Sequence, residues 1–191
     1  MVQALTKPIT LEDFLALPET KPASEYFDGK VSQKPMPQGE HSRIQIKLGA
    51  ALDAKLSANK TAAAFTELRC TFDGRSILPN ISVFIWNRIP LKENGRVENA
   101  FLIPPDWTIE ILSPGPGYKK VNKKILHCLE NGSAMGWLID PSEDAVYVHQ
   151  PDQRIAIYDL VDHTPETLLP VPEFAQEFNL SIGELFAWLV L

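Results

Sequence analysis

The chain has 191 residues, the size of one domain, and 45% of them are hydrophobic against 22% charged, a globular balance that excludes disorder and a collagen-like repeat. No run approaches the roughly 18 consecutive apolar residues of a membrane span, and the opening MVQALTKPITLEDF lacks the apolar stretch of a secretion signal, so we expect a cytoplasmic chain with no membrane partner. Eighteen Lys and Arg against 24 Asp and Glu leave a net charge of −6, which repels a phosphate backbone at long range, so any nucleic-acid role needs a local basic face.

Taken in chain order, Thr10 caps a short amphipathic helix through Leu17 that Pro18 stops. Asp28-Gly29 between the runs 25–27 and 30–33 is the signal of a two-residue hairpin. From Gly39 to about Asn59 there is no proline, and Ile44, Leu48, Ala51, Leu52 and Leu56 recur at helical spacing, with Arg43, Lys47, Asp53 and Lys55 on the opposite, solvated face. The stretch 63–72 alternates as one strand, turns at Asp73-Gly74 and resumes over 77–86, which predicts a second antiparallel pair. Residues 87–105 carry polar groups, Gly95 and three prolines and read as a surface excursion.

Residues 107–112 form a further strand, broken by the Ser113-Pro-Gly-Pro-Gly loop. A helix from Tyr118 to Glu130 ends at Asn131-Gly132. Residues 135–139 and 145–149 make a hairpin, 154–158 add a strand, and a helix over 182–189 closes the chain. Cys70 and Cys128 lie in apolar patterns with no metal-ligand spacing and read as buried free thiols. The order mixes hairpins with covering helices, an α+β (mixed α/β) fold class, and we expect one domain over residues 1–191.

The sharpest chemical feature is Glu110 in an otherwise apolar strand. A carboxylate buried there must be paired or bind a cation, and Lys119, Lys120, Lys123 and Lys124 are at hand. The bland alternative is a side chain on the wet face of an edge strand; periodicity does not separate the two. The lysines crowd the N-terminal half of their helix, where the macrodipole disfavours cations, which implies a compensating anion. Ser113 has no neighbouring His base, and no glycine pattern of a phosphate-binding loop occurs.

The motifs Glu25-Tyr-Phe-Asp-Gly, Met36-Pro with His41, Leu78-Pro-Asn-Ile-Ser-Val-Phe, Glu110-Ile-Leu-Ser-Pro, a helical lysine before Gly132, and Gly136-Trp-Leu-Ile-Asp-Pro together resemble the Uma2 family. That family was formerly a domain of unknown function, DUF820, common in cyanobacteria and part of the PD-(D/E)XK restriction-endonuclease-like superfamily. The resemblance runs from Thr10 through Trp188. It implies a restriction-endonuclease-like core, a central mixed sheet flanked by helices, with an extra N-terminal helix and hairpin and a C-terminal helix. It also implies Mg²⁺-dependent hydrolysis of DNA and a homodimer. Hard oxygen ligands suit Mg²⁺, which activates water and neutralises charge developing on the phosphate. Carried over by position, Glu110 is the metal-binding glutamate, Glu25 a further ligand or water-holding base, and Lys124, eight residues before Gly132, the catalytic lysine, with Lys120 one turn earlier as second choice. Lys119, Lys123, His41 and Arg43 are the implied nucleic-acid contacts.

One position departs from the family. Where the pattern has Pro-Asp, this chain has Pro79-Asn80, so the first metal carboxylate is an amide. At ~4 Å and an effective dielectric of ~20, the missing charge would interact with a divalent ion by roughly 8 kcal/mol before desolvation. Asn80 therefore points to an impaired nuclease, with Glu67 on the preceding strand as a substitute ligand. The alternatives are a catalytically inactive nuclease-fold DNA-binding or regulatory module, and a protein-interaction subunit in which Trp86 or Trp188 lines a homodimer seam.

Overall fold

A computed structural model describes residues 9–115 and 117–191. Residues 1–8, on which part of the secretion-signal reading falls, and Pro116 of the loop after Ser113 lie outside the described residues. The fold is mixed α+β, as expected, with two sheets. The chain runs α1 (Leu11–Leu15), β1 (Ser24–Phe27), β2 (Lys30–Gln33), α2 (Gly39–Ala58), β3 (Ala62–Thr66), β4 (Cys70–Phe72), β5 (Arg75–Ile77), β6 (Ile81–Ile85), β7 (Trp107–Ile111), α3 (Tyr118–Glu130), β8 (Met135–Asp140), β9 (Ala145–His149), β10 (Ile155–Asp159) and α4 (Ile182–Ala187). The larger sheet has the order β10-β9-β8-β7-β6-β3 and the smaller β2-β1-β5-β4. Among the strands of the described residues only β7 and β8 pair in parallel, in the register Glu110↔Leu138, with α3 as their crossover.

The helices follow their sequence signals. Thr10 and Asp13 form a reciprocal capping box at α1, and Ser181 and Glu184 do the same at α4. The i, i+4 ladder Ile44, Leu48, Leu52 and Leu56 is wholly buried and faces Val83, Trp107, Ile109, Trp137 and Ile139 in the main core. The opposite side of the sheet takes α3, which seats Ile125 and Leu129 against Leu138. Gly136 permits that approach, because a Cβ there would lie 2.3 Å from Ile125 Cγ2.

The expected single strand over 63–72, paired with 77–86, is corrected. The run splits: β3 pairs with β6 in the larger sheet, while β4 and β5 form a hairpin in the smaller one, around Asp73 and Gly74 at φ +45° and +70°. The physical reason lies in the intervening residues. Glu67 interrupts the apolar alternation at φ +51°, and Pro79 has no N–H to give a ladder. The 87–105 excursion is anchored by Phe101, 1% exposed, which packs with Cys70, Phe72, Phe84 and Cys128 in a second core. Both thiols are buried and free, and burial pushes the Cys70 thiol up to about 12. Trp188 packs on the main core, whereas Trp86 is 38% exposed, so of the two aromatics offered for a dimer seam Trp86 is the exposed one.

Candidate active site

Strand β7 is interior, and all five of its residues are buried. Its alternation sends Ile109 and Ile111 into the main core beneath α2, leaving Thr108 and Glu110 for the side that α3 covers. The wet-edge reading of Glu110 is thereby excluded. The first two turns of α3 bring Lys124 over it, with Nζ 2.7 Å from Glu110 Oε1 and 2.9 Å from Glu25 Oε1. Glu25 arrives from the smaller sheet on β1, and its Oε1 also accepts the Leu78 N–H at 3.0 Å, which docks β1 on the chain leading into β6. Lys120, one turn before Lys124, stands 3.1 Å from Glu25 Oε2. Three groups far apart in sequence thus meet at side-chain exposures of 1% for Glu25, 2% for Glu110 and 5% for Lys124.

Burial and charge act on these groups in opposite directions. Burial raises the Glu25 carboxyl, but the Lys124 and Lys120 ammoniums and the Leu78 N–H outweigh it and hold the group at about 2. For Glu110 burial prevails over Lys124 and Lys34, and its carboxyl lies above the usual range. Burial lowers Lys124, yet Glu110 and Glu25 more than offset that, so its pKa is raised and the ammonium is retained. Glu25 Oε2 and Glu110 Oε1 touch the lysines without an aligned hydrogen bond, and His41 Nδ1 is likewise buried without one among the described residues. Burial and the Lys34 ammonium keep the His41 imidazole below its ordinary pKa.

Asn80 closes the other wall. Its Oδ1 accepts the Ile111 N–H at 2.9 Å, and its Nδ2 donates to Glu67 Oε1 at 2.9 Å. Gln45 Nε2 also donates to Glu67 Oε1, at 3.0 Å, and Lys34 Nζ lies 2.6 Å from Glu67 Oε2. The amide is therefore a clasp joining β3, β6 and β7. Residues from all these elements line a cavity of about 460 Å³ walled by the 34–37 and 112–115 loops.

The expected metal ligands were Glu110 and Asn80. Around the cavity, Glu25, Glu67 and Glu110 face Lys34, Lys120 and Lys124, a neutral balance, and the Asn80 oxygen already receives a backbone N–H. Among the described residues no three His, Cys, Asp or Glu side chains cluster as a metal site. These residues do not fit a resident divalent cation, whose binding needs an excess of anionic oxygen.

Of the remaining expected residues, His41 lines the cavity, and Lys119 and Lys123 are exposed on the outer side of α3. Arg43 is directed elsewhere, donating Nε to the Trp188 carbonyl at 3.1 Å. Sequence reading missed Lys34 and Gln45. The signal for Gln45 was its place one turn after His41, next to the buried Ile44; nothing in the local pattern marked Lys34.

Comparison with known proteins places these residues in a family. The model of Uma2, described as "Putative restriction endonuclease", matches residues 11–183. A solved structure from Anabaena variabilis ATCC 29413, titled as a putative nuclease belonging to DUF820, is 56% identical, with a TM-score of 0.92 over 96% of this chain and 100% of that one. Comparison with curated proteins gave no match. The chain belongs to the Uma2 family.

Proposed function

We propose that this Uma2 member is a DNA endonuclease of the PD-(D/E)XK type, acting in the cytoplasm as a homodimer, whose hydrolytic step is impaired because Asn80 leaves the site without the anionic excess that the magnesium of that superfamily needs. The observation that supports it best is the meeting of Glu25, Glu110 and Lys124 on the floor of one cavity. Each group has a role that follows from its surroundings. Lys124, held charged between two carboxylates, donates to a non-bridging phosphate oxygen and offsets its charge. Glu110, with a raised pKa, is the group suited to take a proton from an attacking water. Glu25 stays ionised and positions Lys124, while Lys120 stands at the entrance, half exposed. Lys119, Lys123 and His41 are the proposed nucleic-acid contacts; Arg43 is left as a tie to the C-terminal helix.

The amide at position 80 withholds a negative charge from this set. Cleavage in Mg²⁺, of supercoiled plasmid and of a single-stranded oligonucleotide side by side, tests the reading. The native protein is expected to nick slowly, Asn80→Asp at least ~10-fold faster, and Asn80→Asp/Lys124→Met not at all. If Asn80→Asp binds no Mg²⁺ by calorimetry and cuts nothing, the catalytic reading is abandoned.

The charge balance and the Asn80 clasp favour a second reading, a non-catalytic nucleic-acid-binding or regulatory module. Its mark is a salt-dependent DNA affinity that Glu110→Ala leaves intact.

A further inference from the structure

The depth and lining of the cavity bear on which form of nucleic acid enters it. The floor groups Glu25, Glu110 and Lys124 are at most 5% exposed. The phosphates of a duplex lie on the outside of a rod that is stiff over about 150 base pairs, and such a rod rests on rims; it does not descend between walls. A cavity of about 460 Å³ falls in the small-ligand range, the space for one nucleotide unit. Pocket chemistry on nucleic acids is done on single strands or on extruded nucleotides for this reason.

The walls agree with the depth. Pro35, Met36 and Pro37 line one side, with Met36 66% exposed at the mouth, and Leu112 and Pro114 line the other. These apolar faces suit a base face, which stacks without regard to sequence, and offer a phosphate nothing. The charge at the mouth is of the other kind. Lys120 is half exposed and lines the cavity, Lys119 and Lys123 are exposed on the adjoining outer side of α3, and the first turn of α3 carries no acid. A chain of net charge −6 therefore presents to an approaching strand one short basic edge beside an apolar slot.

We propose that the cavity takes one nucleotide of a single-stranded nucleic acid, its base against the 35–37 wall and its phosphate toward Lys120, and does not take an intact duplex. The inference rests on the hydrolase reading for its interest but not for its test, because binding is measured with EDTA present and no hydrolysis.

Fluorescence anisotropy of the full chain is compared for a labelled 12-nucleotide DNA strand, the same sequence as RNA, and the blunt DNA duplex, at several salt concentrations. One of the single strands is expected to bind at least ~10-fold tighter than the duplex, and which of the two wins identifies the sugar. Lys119→Ala/Lys123→Ala is expected to weaken single-strand binding and to reduce the salt slope by about 1.4, two phosphates at ~0.7 each. Met36→Asp is expected to weaken it at least ~10-fold. All three positions are exposed, so circular dichroism should report an unchanged fold for either variant. Duplex binding equal to or tighter than both strands, no binding of any probe, or affinity indifferent to Met36→Asp would each overturn the proposal. Cleavage by Asn80→Asp without strand preference sinks this inference and spares the hydrolase; strand binding with no cleavage does the reverse.

Discussion

The two sides of strand β7 are built from the same backbone and do opposite work. Ile109 and Ile111 enter an apolar core with α2, where stability scales with area removed from water. Thr108 and Glu110 enter the space under α3, where a carboxylate is kept only because an ammonium 2.7 Å away shares its burial. The first side tolerates losses in proportion to volume. The second responds to charge, because removing Lys124 leaves Glu110 buried without its ion-pair partner.

That contrast is tested most severely by Lys124→Met, which removes the ammonium that Glu25 and Glu110 share and leaves Glu25 only the half-exposed Lys120. It should cost about 4 kcal/mol in urea unfolding, and adding Glu25→Gln and Glu110→Gln should return most of it while leaving the protein inactive. If the triple variant stays as unstable as the single one, packing and not charge holds that side together. Leu52→Ala on the apolar side should cost about 3 kcal/mol with no rescue by charge changes, read in the same experiment.

Acid unfolding separates the sides next. Glu25 has its carboxyl lowered from 4.5 to about 2, so its contribution is full above pH ~4.5 and is lost as pH falls toward 2, a loss of order 3 kcal/mol. Glu110, shifted upward, runs the other way, and its effect lies above pH ~4.5, outside that window. Glu25→Gln should flatten the fall in melting temperature between pH 4.5 and 2, and an unchanged limb would remove Glu25 from the account. The smallest effect is expected for Gly136→Ala. Its Cβ displaces Ile125 and so lifts α3, costing about 2 kcal/mol and reducing activity in the Asn80→Asp background without touching a charged group.

Much of this arrangement was legible in the residues. The α2 stripe, the Asp28-Gly29 turn and the Asn131-Gly132 stop each depend on local spacing, and each element forms where its pattern places it. The site was half legible. Period-2 alternation puts Glu110 opposite Ile109 and Ile111, but whether that side is wet depends on α3 crossing it, which no local pattern encodes. Lys124 was reached by counting back from Gly132 along a family pattern, and burial of Ile125, Cys128 and Leu129 on the same helix is consistent with that choice. The split of 63–72 between two sheets was not read, because Glu67 and Arg69 looked like the polar half of an alternation. Their real partners, Asn80 and Gln45 for Glu67 and Glu19 for Arg69, lie 13 to 50 residues away along the chain, and only the fold brings them together.

That split has a mechanical consequence. The chain leaves the larger sheet at Glu67 and returns to it at Asn80, and between those points it builds the hairpin against which β1 pairs through Tyr26 and Ser76. Glu25 thus rides on a platform whose two tethers are fastened to each other by the hydrogen bond from the Asn80 amide to the Glu67 carboxylate, 13 residues apart along the chain. Loosening that fastening frees the platform to tilt and carries one of the acids away from the ammonium, so assembly of the pocket and seating of the smaller sheet are a single latch.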